Sequence, residues 1–196
     1  MSRVSIIIPT LNESTSLGRT LCCLKQLAPP AKEVVIVDGG SQDNTVEIAK
    51  SFEAEVIVWE QAGRSIQMNR GAAAATGEIL CFLHADTLVP DDCIAVIEKT
   101  LADPAIACGG FISLMTGAEI TRWGFSLHNS LKTYYAPLLF RPHLFFFKGL
   151  RVLFGDQVMF CRRDDFLASG GFDPALPIMG SALKGRKKKL KKDQAS

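Results

Sequence analysis

Val34-Val-Ile-Val-Asp-Gly-Gly-Ser-Gln-Asp-Asn-Thr45 is the stretch that decides the fold. Four β-branched residues run without a break into an acid, the pattern of a strand buried on both faces. The two glycines and the small polar residues after Asp38 read as a tight loop that starts a helix. Asp38 is thereby delivered to the carboxyl edge of a sheet, where open α/β sheets bind their ligands. A carboxylate there accepts hydrogen bonds only, which suits a base N–H or a ribose hydroxyl, and the glycines let another molecule lie against the backbone. The plainer alternative is a turn or helix-cap aspartate.

Outward from this stretch the chain alternates. Val4 to Ile8 is a first buried strand stopped by Pro9, with Thr10-Leu-Asn-Glu13 as its loop. Leu17, Leu21, Leu24 and Leu27 form a stripe at helical spacing, with Ser14 or Ser16 as cap. Glu33 to Val37 is a second strand, and Ser41 to Phe52 predicts a helix capped by Ser41 or Asp43. Glu55 to Trp59 is a third strand; residues 63–77 read as a loop and an alanine-rich helix closed by Gly77. Glu78 to Leu83 is a fourth strand, and Pro90-Asp-Asp92 opens a helix to about Leu101. Cys108 to Met115, Glu119 to Tyr134, Gln157 to Cys161 and the run from Arg163 to Gly170-Gly171 read as strand, helix, strand and helix. This order predicts a Rossmann-like three-layer α/β/α sandwich with a mainly parallel central sheet and right-handed crossovers. No G-x-G-x-x-G follows the first strand, which argues against an NAD-type site.

The 196 residues are 47% hydrophobic and 21% charged, enough for one domain with a full core. The net charge of +2 is uneven: Lys184 to Ser196 carries seven Lys/Arg and one Asp. The rest of the chain is mildly acidic, so no nucleic-acid partner is expected. Six scattered cysteines without CxxC spacing, three of them (Cys22, Cys81, Cys161) in apolar runs, read as buried free thiols in a reducing compartment. With no signal-peptide pattern and no long uncharged apolar run, a cytoplasmic protein is expected.

Three loops after buried strands share one sheet edge: Pro9-Thr-Leu-Asn-Glu13, Asp38-Gly-Gly-Ser41 and His84-Ala-Asp86. Asp86 is the metal candidate, since Mg²⁺ and Mn²⁺ take hard oxygen ligands and Mg²⁺ shares them between one or two carboxylates and a substrate's phosphates. A turn aspartate is the alternative. His84, by the period of two, points as Asp86 does and either flanks the site or packs at the strand end. Arg64 and Arg70, before and at the start of the alanine-rich helix, are candidates for phosphate or plain surface charges. Gln67 and Asn69 are ambiguous.

Ser5-Ile-Ile-Ile-Pro-Thr-Leu-Asn-Glu13, Val35-Ile-Val-Asp-Gly-Gly-Ser-Gln-Asp-Asn-Thr45, Asn69-Arg-Gly-Ala-Ala-Ala-Ala-Thr-Gly77 and Leu83-His-Ala-Asp86 together resemble the family-2 glycosyltransferases of the GT-A fold, from about residue 3 to residue 179. Gly63-Arg-Ser-Ile-Gln-Met-Asn69 and Gly155-Asp-Gln157 resemble the arsenosugar-biosynthesis subgroup. The resemblance implies a hexosyltransferase-like, inverting enzyme with a nucleotide-diphospho-sugar donor, often a UDP-sugar. It implies that Pro9, Thr10, Glu13 and Asp38 hold the nucleoside and that Arg64 lies near the base or diphosphate. His84-Ala-Asp86 stands at the family's D-x-D position, so Asp86 alone is carried over as metal contact for a divalent cation, Mg²⁺ or Mn²⁺.

The chain departs from the family after Gly170-Gly-Phe-Asp-Pro-Ala-Leu-Pro-Ile-Met179. There a Glu-Asp pair normally supplies the general base; this chain continues Gly180-Ser-Ala-Leu-Lys-Gly-Arg-Lys-Lys-Lys-Leu-Lys-Lys192. A domain over residues 1–179 and a lysine-rich, disordered tail over 180–196 are expected, with transfer weak or lost. Asp156 is a candidate substitute base, or a structural residue after Gly155. A non-catalytic sugar-nucleotide-binding or regulatory protein is the rival expectation. The apolar, aromatic segment Ala136 to Phe154 is a candidate for peripheral membrane or lipid-acceptor contact, a lid, or a homodimer contact.

Overall fold

A computed structural model describes residues 2–59, 63–111 and 158–174. The element order is β1 (Val4–Thr10), α1 (Leu17–Lys25), β2 (Glu33–Asp38), α2 (Thr45–Ser51), β3 (Glu55–Val58), α3 (Arg64–Ala74), β4 (Ile79–Phe82), α4 (Cys93–Leu101), β5 (Cys108–Gly110), β6 (Met159–Arg162) and α5 (Arg163–Ser169). One six-stranded sheet runs β3-β2-β1-β4-β6-β5. β1 to β4 are mutually parallel, while β6 lies antiparallel to both β4 and β5. The expected mainly parallel α/β architecture is therefore present.

The unbroken β-branched runs have a simple cause. Ile6, Ile8 and Ile36 face a core with the stripe of α1 and with Ile94 and Ile97 of α4. Ile7, Val35 and Val37 face a second core with Met68 and Ala72 of α3 and Phe166 of α5. Each isoleucine of β1 is at most 1% exposed, which contributes on the order of 2 kcal/mol apiece. Burial on both faces fills the middle of β1 and β2 with apolar side chains and leaves polar residues to their ends: Ser5 bonded to Glu33 at the amino ends, Thr10 bonded to Asp38 at the carboxyl ends.

Several boundaries differ from expectation. Pro9 lies inside β1 and does not stop it. Successive carbonyls of β1 alternate sides: Ile7 O accepts from Leu83 N and Thr10 O from Gly39 N. Pro9 therefore turns its missing N–H toward β4, whose pairing with β1 has already ended at Ile7–Phe82, and loses no ladder bond. The second helix begins at Thr45, four residues later than expected: Ser41 bonds Asp38 within the loop, Asp43 accepts from the amide and hydroxyl of Thr45 at the helix start, and Asn44 stands at the N-cap without a side-chain bond. Ser16 stands at the N-cap of α1, but its hydroxyl bonds Glu13, so it does not cap. Helix α3 begins at Arg64, earlier than expected, and Arg70 lies within it with its guanidinium 3.7 Å from the Trp59 ring centroid. Gly77 does not close α3, which ends at Ala74 with Ala75 as its C-cap; a Cβ at Gly77 would meet Ser5 Oγ at 2.4 Å. Close approach to β1 explains the glycine. β4 is shorter than expected, and β5 covers Cys108–Gly110, the rest of its expected run from residue 112 on lying outside the described residues. Cys22 and Cys108 are exposed and not buried, and Cys23 is half-buried; Cys81, Cys93 and Cys161 are buried free thiols, burial pushing Cys161 up to about 12. Among the described residues no helix is long and apolar enough to cross a membrane. The expected helix at 119–134, the segment 136–154, Asp156 and the tail 180–196 lie outside the described residues.

Candidate functional site

The chain winds from β1 through β2 to β3 in one direction and returns with β4 on the other side of β1. This places a topological switch point between β1 and β4, the position where doubly wound sheets open a crevice. The loops 11–16, 39–44 and 83–92 leave the carboxyl ends of β1, β2 and β4 at that edge.

The first two loops are laced together. Asn12 N donates to Ser41 Oγ, and Gln42 N donates to Asn12 Oδ1, each at 2.8 Å. Asn12 holds φ at 56°, a left-handed conformation that asparagine tolerates better than most residues. Ser14 N donates to Asp43 Oδ2 at 3.0 Å, and Glu13 N to Thr45 Oγ1 at 2.8 Å. Hydrogen bonds from Thr45 and then Ser14 hold the Asp43 carboxyl well below the usual range.

Asp38 lies at the centre of this lacing. It is 1% exposed. Its Oδ1 accepts from the hydroxyls of Thr10 (3.0 Å) and Ser41 (2.5 Å), and its Oδ2 from the amides of Gly40 (3.0 Å) and Ser41 (2.8 Å). A carboxylate has about four lone-pair sites, and all four are met from inside the chain. The acid that the sequence offers to a nucleoside is thus bonded on both oxygens within its own loop and to β1. Thr10 is also 1% exposed.

The other expected residues are at the same edge. Pro9 and Glu13 are half-buried, and Glu13 Oε2 accepts from Ser16 Oγ at 2.7 Å. Arg64 is half-buried at the start of α3. Three residues later Gln67 donates to Thr10 O and Val37 O, which lays the first turn of α3 across the ends of β1 and β2. Asp86 is exposed. The alternation that aligned His84 with Asp86 does not hold, because β4 ends at Phe82 and residues 85–86 form a turn. That turn is anchored by α1: Thr20 Oγ1 donates to Ala85 O at 2.7 Å, and Cys23 Sγ lies 3.3 Å from Val89 O.

Sequence reasoning missed Thr20 and left Gln67 and Asn69 undecided. Asn69 clamps the backbone of one residue, donating to Phe172 O and accepting from Phe172 N, both at 2.9 Å. Polar residues on the inner face of otherwise apolar helical stretches were the available signal, since such groups need partners.

A family description, glycosyl transferase family 2, matches residues 5–168. The chain belongs to the family-2 glycosyltransferases. Glycosyltransferase AglE of Haloferax volcanii is 40% identical over 91 residues, 42% of this chain and 30% of that relative. The chain thus spans less than a third of that relative's length. Among solved structures, a mannosyltransferase from Pyrobaculum calidifontis in complex with GDP-Man and Mn²⁺ superposes with a TM-score of 0.68 at 24% identity, covering 92% of this chain and 50% of that one. Glucosyl-3-phosphoglycerate synthase of Mycobacterium tuberculosis, in complex with Mn²⁺, UDP and glucosyl-3-phosphoglycerate, does so with a TM-score of 0.56 at 21% identity, over 83% of this chain and 57% of that one. At these identities the likeness is one of fold.

Proposed function

We propose that residues 1–179 of this family-2 chain form the donor-binding part of a transferase, moving a hexose from a nucleotide-diphospho-sugar, first of all a UDP-sugar, to an acceptor hydroxyl with inversion. The convergence of three strand-end loops and the first turn of α3 at the β1/β4 switch point carries this reading. Pro9 and the second carboxylate oxygen of Glu13 contact the nucleoside. Thr10 and Asp38 act through the loop they hold. Arg64 meets the diphosphate with its planar fork.

Asp86 is exposed, and the Thr87 hydroxyl at 3.5 Å leaves its acceptor sites open. Among the described residues no three His, Cys, Asp or Glu side chains form a cage. This donor set fits Mg²⁺ or Mn²⁺ held by one carboxylate together with diphosphate oxygens. Such an ion neutralises charge on a departing diphosphate.

One observation favours a second reading, a non-catalytic sugar-nucleotide-binding or regulatory protein: residues 180–196 hold a single acid, Asp193. Under the first reading, Asp156 is the candidate substitute base. Thermal unfolding across UDP- and GDP-sugars, with Mn²⁺, Mg²⁺ or chelator, tests the site. At a hundredfold excess over Kd a ligand adds about 2.7 kcal/mol, roughly 5–11 °C for a chain of this size. Asp86→Asn should lose the metal-dependent part of the shift. A melting point that no nucleotide sugar moves overturns the donor site, whereas a shift without sugar transfer selects the second reading.

A further inference from the structure

Gln67 is 4% exposed on a helix face that otherwise buries Met68, Gly71 and Ala72. A primary amide in such a place costs free energy unless its hydrogens are met. Both are met: Nε2 donates to Thr10 O at 2.7 Å and to Val37 O at 2.8 Å. These carbonyls belong to neighbouring strands near their carboxyl ends, where Pro9 pairs with Val37 and Thr10 with Asp38. Thr10 O also accepts from Gly39 N at 2.9 Å, which brings the Asp38 loop into the same cluster. At the other end of the side chain, Oε1 faces Gly63 N at 3.4 Å, and Gln67 N donates to Gly63 O at 2.9 Å. One carboxamide thus touches the end of β1, the end of β2 and the residue before Arg64.

We infer that Gln67 is a positioning residue for the donor site, setting the spacing between the β1 loop, the β2 loop and the first turn of α3, and so the place of Arg64 relative to them. The inference rests on the donor-site reading above. The geometry explains why glutamine stands there. Glutamate has the reach but, ionised, no hydrogen to donate, and would face two carbonyl oxygens. Methionine fills the volume and donates nothing. Asparagine is one methylene short of spanning the seam between two strands.

The test compares wild type with Gln67→Met and Gln67→Glu, all well below their melting temperatures. Two quantities are measured: amide hydrogen exchange at Gly39 and at residues 63–66, and titration with UDP plus Mn²⁺. In Gln67→Met, exchange at these amides speeds up and UDP binding weakens about tenfold, which corresponds to about 1.4 kcal/mol. In Gln67→Glu, the gap in Kd from wild type is wide at pH 8 and narrows toward pH 5, as a protonated carboxyl regains a donor; Gln67→Met shows no such narrowing. A merely structural role lowers melting temperature but leaves the Kd of the folded protein and its pH dependence unmoved, and that outcome overturns the inference. If wild type binds neither UDP nor GDP, the donor reading fails by itself. Exchange then decides the positioning role alone: unchanged exchange at Gly39 refutes it. Should Gln67→Met not fold, Gln67→Glu at pH 5 and pH 8 supplies the same comparison.

Discussion

Replacing Asp38 separates two roles that its carboxylate could have. If it is a strut, loop stability and ligand binding fall together; if it touches the nucleoside, binding falls and stability does not. Four donors converge on it, two hydroxyls and two backbone amides, at 2.5–3.0 Å. Asp38→Ala strips the acceptor from all four. At about 1 kcal/mol for each donor left without a partner, the loss approaches 4 kcal/mol. Water can reach the half-buried Gly40 and Ser41 amides, which lowers the loss toward about 2 kcal/mol. Asp38→Asn is milder. Its oxygen can keep the two amides, and the Thr10 and Ser41 hydroxyls can rotate to accept from its nitrogen, so the loss is about 1–2 kcal/mol, the difference between charged and neutral bonds. For a chain of this size each kcal/mol moves the melting point by roughly 2–4 °C. Urea unfolding reads the midpoint and slope, and titration with UDP and Mn²⁺ reads binding on the same samples. Asp38→Ala unfolding at the wild-type urea midpoint while binding nothing would refute the strut and restore the carboxylate as a direct contact.

Three further outcomes are expected. Gly71→Ala should destabilise even though alanine favours a helix by about 1 kcal/mol: its Cβ would sit 2.4 Å from Ile7 Cγ2 and 3.1 Å from Val37 Cγ2, an overpacking that costs about 1–3 kcal/mol, and a rise in the urea midpoint would contradict the close approach of α3 to the sheet. Burial pushes the Glu33 carboxyl up, but hydrogen bonds from Ser5 and Thr76 outweigh it and hold it below its ordinary value of 4.5. Its contribution is therefore present above about 4.5 and lost as pH falls through the lower folded value; the stability gap between wild type and Glu33→Gln should be largest near neutrality and close in acid, and a gap constant from pH 7 to pH 3 would count against it. Arg162 donates to Ile106 O, Leu101 O and Asp103 O at 2.6–2.8 Å. Arg162→Lys keeps the charge but not the planar fork, so denaturation should show a loss of about 1–2 kcal/mol.

Much of the fold was legible because two-sided burial leaves a plain mark. Ile6-Ile7-Ile8 and Val35-Ile36-Val37 are continuous apolar runs since alternate residues enter different cores, and no half-wet strand would tolerate them. The edge holding the site followed from chain direction alone. Helix starts were less legible. Ser41, Asp43 and Ser16 have cap chemistry in any local reading, but Ser41 bonds Asp38 and Ser16 bonds Glu13 inside the loops, while Asp43 joins Ser14 to the first residue of α2, Thr45. Gly77 looked like a helix stop and is instead a place where the backbone passes Ser5. Local propensity does not settle these cases: side chains such as Ser41 and Ser16 have competing partners within three residues, whereas Asp43 and Gly77 also meet Ser14 and Ser5, 29 and 72 residues away.

By itself, the sequence determined an α/β fold, the parallel strands β1 to β4, a shared loop edge and membership of a sugar-transfer family. Periodicity and chain order are enough for the fold and the loop edge, since they depend on which residues must leave water; the family followed from the resemblance of the motifs at residues 5–13, 35–45, 69–77 and 83–86. Only the tertiary structure decided what the polar groups at that edge do. Thr10 meets Asp38, Gln67 meets Thr10 and Val37, Thr20 meets Ala85, and Asn69 meets Phe172, across 28 to 103 residues of chain. A hydrogen bond is directional and short, so its partner is settled by packing and not by composition. For that reason the sequence could place Asp38 at the edge but not show that Thr10, Gly40 and Ser41 all bond its carboxylate.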